Sequence, residues 1–182
     1  MGIKRKIKNY IHIKKYYPLS EKIIAHDDSK KTILIVDSQI PTFDKDSASN
    51  RITEIAKFLA KHYNVYLVDW RKAIPNIDSK KYIKNLNDHN VTVYTPFINK
   101  YGILKGKKYF INNLLEKIDF VWCHRPELFE YYLDFFRNKA PKAKIIYDMV
   151  DIHYLRMERG LEIKYDKNRA KEVVRYKYIE TE

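Results

Sequence analysis

The chain has 182 residues, 45% hydrophobic and 32% charged, which suits one ordinary domain with a core and lies outside the disordered class. Its single cysteine, Cys123, excludes a disulfide scaffold and an all-cysteine zinc site, and four glycines and six prolines exclude collagen-like and linker-rich classes. No apolar run approaches the roughly 18 residues of a membrane span, and no apolar core of a secretory leader follows the early lysines. The expectation is a soluble domain of a reducing compartment, cytoplasmic, touching the inner face of the cell membrane at most peripherally.

Thirty-six basic residues against 23 acidic ones give a net charge of +13. Met1–Lys31 holds nine basic and three acidic residues, and Arg71–Lys108 nine basic and two acidic, so these two stretches carry the whole excess. Residues 1–31 read as a basic arm ahead of a domain at 32–182. Either stretch can meet an anionic membrane surface or nucleic acid, or simply keep a lysine-rich surface solvated. Tyr10, Tyr16 and Tyr17 suit base stacking, while Ile3, Ile7, Ile11 and Tyr10 suit an interfacial helix.

From Thr32 the pattern alternates. Thr32–Asp37 (TILIVD) is a β-branched apolar run ending in a carboxylate, the mark of a buried parallel strand. Pro41 keeps the next loop from becoming helical early, and Asp46 or Ser47 can cap a helix with Ile52, Ile55, Ala56, Leu59 and Ala60 inward. A second strand is predicted over Asn64–Trp70, a helix over Ser79–His89, a third strand over Val91–Thr95, a loop over Pro96–Gly106 and a helix over Lys107–Ile118. Asp119–His124 (DFVWCH) is the fourth strand, and Pro126 opens a helix that runs to about Lys139. Lys144–Met149 is the fifth strand, followed by one long charged helix from near Ile152. Strands separated by helices imply βαβ units and a Rossmann-like, doubly wound parallel α/β sheet.

Such sheets bind ligands beyond the carboxyl ends of their strands, near the switch in strand order, and three loops there are rich in ionisable groups. The first, Asp37 to Arg51, lacks the glycine patterns of dinucleotide and P-loop sites, yet brings Asp46, Ser47, Ser49 and Arg51 to a helix start. The second holds His124, Arg125 and Glu127. Arg125 can clamp a phosphate or carboxylate, Glu127 can complement the helix dipole, and His124 is either a general base or hydrogen-bonded structure. Cys123, inside DFVWCH, reads as core rather than nucleophile. The third holds Asp148, Asp151, His153 and Arg156. Carboxylates beside an imidazole suit recognition of sugar hydroxyls, and Arg156 a phosphate; the alternative is Asp151 as a helix cap and His153 as a first-turn residue. The ligand count is too small for a dedicated metal site.

Together, ILIVDSQIPTFDKDSASNR and DFVWCHRPELFEYYLDFFRNKAPKAKIIYDMVDIHYLR resemble the N-terminal domain of GT-B glycosyltransferases of family 4 (group 1), of the bacterial surface-polysaccharide type. The matching features are D-x-x-P-x-x-D-x-D-S-G-S-x-R-like, S-R-P-E-like and Y-D-x-V-D-x-H-x-x-R-like loops in the right order, over roughly Thr32–Glu162. The resemblance implies transfer of a sugar from a nucleotide sugar to a saccharide or lipid-linked acceptor, with retention and with no cofactor or metal. It implies that Asp46, Ser47, Ser49, Arg51, Arg125, Glu127, Asp148 and Arg156 bind substrate, with Asp151 and His153 catalytic candidates at the reacting sugar. Ala48 stands where a glycine is usual, and Val150 where many relatives place a histidine. Such enzymes carry a second, donor-binding domain, so the chain is expected to be the acceptor-side half, short of its last strand and inactive alone, with that domain or a partner subunit as complement. The competing reading is a non-catalytic basic Rossmann-like module for an anionic membrane or, less favoured, nucleic acid. A receiver-like domain is set aside because the third strand ends in Thr95-Pro96.

Overall fold

The computed structural model describes residues 7–8, 11, 26–70, 79–99 and 101–181. Most of the basic arm, with its Ile3/Tyr10 face, and residues 71–78 of the second basic stretch lie outside the described residues.

Five strands form one parallel sheet: β1 (Thr32–Asp37), β2 (Asn64–Asp69), β3 (Val91–Val93), β6 (Phe120–His124) and β7 (Lys144–Asp148), in the spatial order β3-β2-β1-β6-β7. The helices are α1 (Ser47–Leu59), α2 (Lys80–Asp88), α3 (Lys107–Leu114), α4 (Pro126–Lys139), α5 (His153–Ile163) and α6 (Lys167–Thr181). The chain is therefore α/β with a Rossmann-like parallel sheet flanked by helices. β1 is central and buried at every position, as expected of a strand covered on both faces.

The period of two along each strand divides the core. Ile33, Ile35, Val65, Leu67, Val91 and Val93 pack with Ile52 and Ala56 of α1 and Tyr82, Ile83 and Leu86 of α2. Leu34, Val36, Tyr66, Val68, Val121 and Cys123 pack with Phe110, Ile111 and Leu114 of α3 and Leu128, Tyr132 and Phe136 of α4. Helices thus cover both faces, as a doubly wound sheet requires. Cys123 is fully buried, and burial pushes its thiol up to about 12, which leaves it a small core residue.

Two elements differ from the sequence-based expectation. Pro96–Gly106 contains an antiparallel hairpin, β4 (Phe97–Ile98) with β5 (Leu104–Lys105). The long C-terminal helix is broken at residues 164–166, where Asp166 Oδ1 accepts the backbone N–H groups of Asn168 and Arg169 at 2.8 and 2.9 Å. That cap starts α6 as a separate helix.

Phe136 is fully buried between the sheet and its own helix, whereas Phe58 on α1 is exposed. Phe136→Ala is expected to lower the unfolding free energy by about 3–5 kcal/mol and Phe58→Ala by less than about 1 kcal/mol, read by urea denaturation.

Candidate functional site

After β1 the chain winds outward through β2 and β3, then returns to place β6 on the other side of β1. The switch point therefore lies between the carboxyl ends of β1 and β6, where Asp37, His124 and Arg125 stand. In register, His124 pairs with Asp148 at the end of β7. Trp122, two residues before His124, points to the same face, which is the face α1 covers, so Arg51 in the first turns of α1 reaches the group.

These residues converge on one carboxylate. Asp148, 5% exposed, accepts from Arg51 Nη1 at 2.8 and 2.7 Å, from Trp122 Nε1 at 3.1 Å and from His124 Nδ1 at 2.9 Å. Burial alone would raise its pKa, but the hydrogen bonds from His124, Arg51 and Trp122 outweigh it and hold the carboxyl well below the usual range. An ionised Asp148 makes Nδ1 the donor nitrogen of His124. His124 Nε2, the other ring nitrogen, is buried with no hydrogen-bond partner.

Asp37 has the opposite environment. It is buried and accepts the backbone N–H of Ser38 at 2.5 Å, and Arg125 Nε lies 3.5 Å from its carboxylate. Burial raises its pKa against the pull of His124 and Arg125. Arg125 has φ +105° and ψ 144°, a region natural to glycine and strained for any L side chain by about 1–3 kcal/mol. Its Nε is buried without a hydrogen bond.

The first loop is organised around Asp46, the cap of α1. It accepts Ser49 N and Ser49 Oγ, both at 2.7 Å, and these bonds depress its pKa. Ser49 is buried in that cap, while Ser47 is exposed. Of the residues expected to bind substrate, Arg51, Arg125 and Asp148 thus gather at the switch point, with Asp46 near enough to feel the charge of Arg125.

Glu127, Asp151, His153 and Arg156 form a second cluster around α6. The Glu180 carboxylate, its side chain fully buried, accepts the backbone N–H groups of His153 and Tyr154 at 3.1 Å each and the Tyr147 hydroxyl at 3.2 Å, and lies 3.0 Å from His153 Nδ1. It supplies the cap that Ile152 does not provide to α5. Asp151 pairs with Arg156 at 2.8 Å and lies 3.1 Å from His153 Nδ1. Tyr176 stacks on His153 and donates to Glu127 at 2.8 Å.

Asp37, Trp122 and Glu180 were not among the residues expected to form a site. Asp37 was legible as a carboxylate ending the central strand, and Trp122 by its spacing of two from His124. Glu180, 27 residues beyond His153, carries no local signal. Among the described residues no group of three or more His, Cys, Asp or Glu side chains is placed to hold a metal ion, and no helix is long and apolar enough to cross a membrane. Compared with known proteins, the chain has no significant match among family models, curated proteins or solved structures.

Two outcomes follow from the geometry. The stability drawn from Asp148 is fully present above the ordinary carboxylate range and drains away as pH falls below it towards the depressed folded-state pKa. Asp148→Asn is expected to cost about 3 kcal/mol at neutral pH, a difference from wild type that shrinks on acidification in urea denaturation across pH. At Arg125, both Ala and Gly remove the guanidinium but only Gly relieves the positive φ. Arg125→Gly is expected to be more stable than Arg125→Ala by about 1–2 kcal/mol in the same assay.

Proposed function

We propose that the chain is the acceptor-side half of a GT-B glycosyltransferase of family 4, acting with a donor-binding domain to move a sugar from a nucleotide sugar to a saccharide or lipid-linked acceptor. Three loops support this reading, each following a strand of the parallel sheet, in the order the family resemblance requires. The observation that carries it is the His124 ring at the switch point, oriented through Nδ1 by an ionised Asp148 with a buried, unpartnered Nε2.

In this reading His124 Nε2 accepts a hydrogen bond from an acceptor hydroxyl and fixes which oxygen faces the donor sugar. Arg125, held at a strained backbone angle beside Asp37, and half-exposed Arg51 supply positive charge to an anionic group of the substrate. Glu180 occupies the N-terminus of α5, so that helix end is already neutralised and the arginines carry the phosphate role. Asp151, His153 and Arg156 border the sugar from the second cluster. The reaction needs no metal or cofactor beyond the nucleotide sugar, because preorganised cations can hold the leaving diphosphate.

Saturation-transfer NMR on the chain, with a panel of saccharides and nucleotide sugars, tests the proposal. Saccharide binding is expected, weakened at least about tenfold by His124→Ala and by Arg125→Ala, with thermal melting confirming that each variant folds. Salt-sensitive binding of arbitrary oligonucleotides with no response to any saccharide would replace it with the basic binding module.

A further inference from the structure

The hairpin between β3 and α3 presents apolar side chains to solvent in a segment that carries only positive charge. Phe97–Tyr109 holds four lysines and no carboxylate. At its turn Tyr101 is 73% exposed, Ile103 55% and Leu104 40%. The turn is pinned from inside: Asn99 Oδ1 accepts the N–H groups of Tyr101 and Ile103 at 3.0 and 2.9 Å, and Gly102 takes φ +72°. The apolar tip is therefore held in place by its own hydrogen bonds. Behind it Phe97 packs edge-on against Tyr109, and the Lys105 ammonium lies 4.2 Å from the Tyr109 ring.

The lysines divide by role. Lys107 donates to the Trp70 carbonyl at 2.7 Å, and burial lowers its pKa, so it fastens the base of the hairpin to the end of β2. Among the described residues the lysine ion pairs are those of Lys30, Lys57, Lys81, Lys84 and Lys117, so none engages Lys105 or the exposed Lys108. They leave positive charge just behind an aliphatic and aromatic tip.

We propose that this hairpin is a docking element for an anionic bilayer surface, with Tyr101, Ile103 and Leu104 entering the headgroup boundary and Lys105 and Lys108 meeting anionic headgroups. Apolar residues ahead of lysines match the depth profile of a membrane interface. A nucleic acid would use the lysines but has no use for Ile103 and Leu104, which offer no ring for base stacking. The hairpin starts after the carboxyl end of β3 and is fastened through Lys107 to the carboxyl end of β2, on the sheet edge that carries Asp37, His124 and Arg125. The docking deepens the reading above by favouring a lipid-linked acceptor, and rests on that reading only for its purpose.

Vesicle flotation of the chain tests it, using phosphatidylcholine vesicles and vesicles of phosphatidylcholine and phosphatidylglycerol in equal parts. Flotation with the mixed vesicles alone is expected, reduced roughly tenfold by Ile103→Ser with Leu104→Ser and by Lys105→Gln with Lys108→Gln. A nitrobenzoxadiazole label on Ile103→Cys is expected to shift to the blue with mixed vesicles; the same label on Phe58→Cys, at the far end of α1, is not. The label reports insertion even where a serine variant fails to fold, and buried Cys123 stays unlabelled. No flotation with mixed vesicles, unaltered flotation of both folded double variants, or an unshifted Ile103 label each overturn the proposal. Oligonucleotide binding lost with the lysines, without flotation, overturns it in favour of nucleic acid. Flotation without saccharide binding keeps the docking and removes the glycosyltransferase reading, and saccharide binding without flotation does the reverse.

Discussion

Burying a carboxylate at the end of a strand is unfavourable unless donors replace its lost water, and at Asp148 that requirement organises three elements at once. β6 supplies Trp122 and His124, α1 supplies Arg51, and β7 supplies the carboxylate. Each donor is a consequence of geometry. Register sets His124 opposite Asp148, the two-residue period brings Trp122 to the same face, and the helix covering that face carries Arg51. The cluster is worth less to stability than its bond count suggests, because desolvation offsets much of the gain. What it does secure is the orientation of His124: Nδ1 donates to an ionised carboxylate, and Nε2 is left buried without a partner. Asp37, at the end of β1, has only the Ser38 N–H as a direct donor, and burial raises its pKa. Two buried aspartates at the same sheet edge are thus shifted in opposite directions, Asp148 down by its hydrogen bonds and Asp37 up by burial.

The C-terminal helices are held in a different way. α6 buries only Val173 of its apolar side chains, and its attachments are polar: Glu180 to Tyr147 and the start of α5, Tyr176 to Glu127, and Arg175 to Glu130. A helix fixed through few apolar contacts belongs to the part of a fold that opens most readily. The position of His153 follows from it, since the ring lies between the Glu180 carboxylate and the face of Tyr176. The second cluster is therefore only as ordered as α6, whereas the Asp148 cluster stands on the sheet.

This division also explains what the amino-acid sequence made legible. β1 and β2 announce themselves as β-branched apolar runs because both faces of the sheet are covered there, β6 and β7 as shorter apolar runs that end in His124 and Asp148, and α4 is bounded by Pro126 and Pro141. Arg51, Arg125 and Asp148 were recognisable because strand ends and helix starts are local features. Their convergence was not, since it depends on register across β6 and β7 and on which face α1 covers. The hairpin at Phe97–Lys105 was hidden because two-residue strands leave no periodicity to read. The break before α6 turns on one Asp166 cap in a run of charged helix formers. Glu180 could not be found at all, because its partners are 26 to 33 residues away.

Arg125 gives the strongest physical reason to regard the switch point as more than a well-packed strand end. The residue before Pro126 is already restricted to extended backbone, and here it is driven further, to a positive φ that glycine would adopt without strain. An arginine at that position keeps the strain and adds the cost of half-burying a guanidinium. Neither is offset by a direct hydrogen bond to Nε, and the nearest carboxylate, Asp37, is itself pushed towards neutrality. The guanidinium thus stands at the sheet edge with its Nε 3.5 Å from Asp37 and without a hydrogen bond. Placed beside an oriented imidazole at the edge where parallel sheets receive their ligands, this cation is the group that the proposed reading assigns to an anionic part of the substrate.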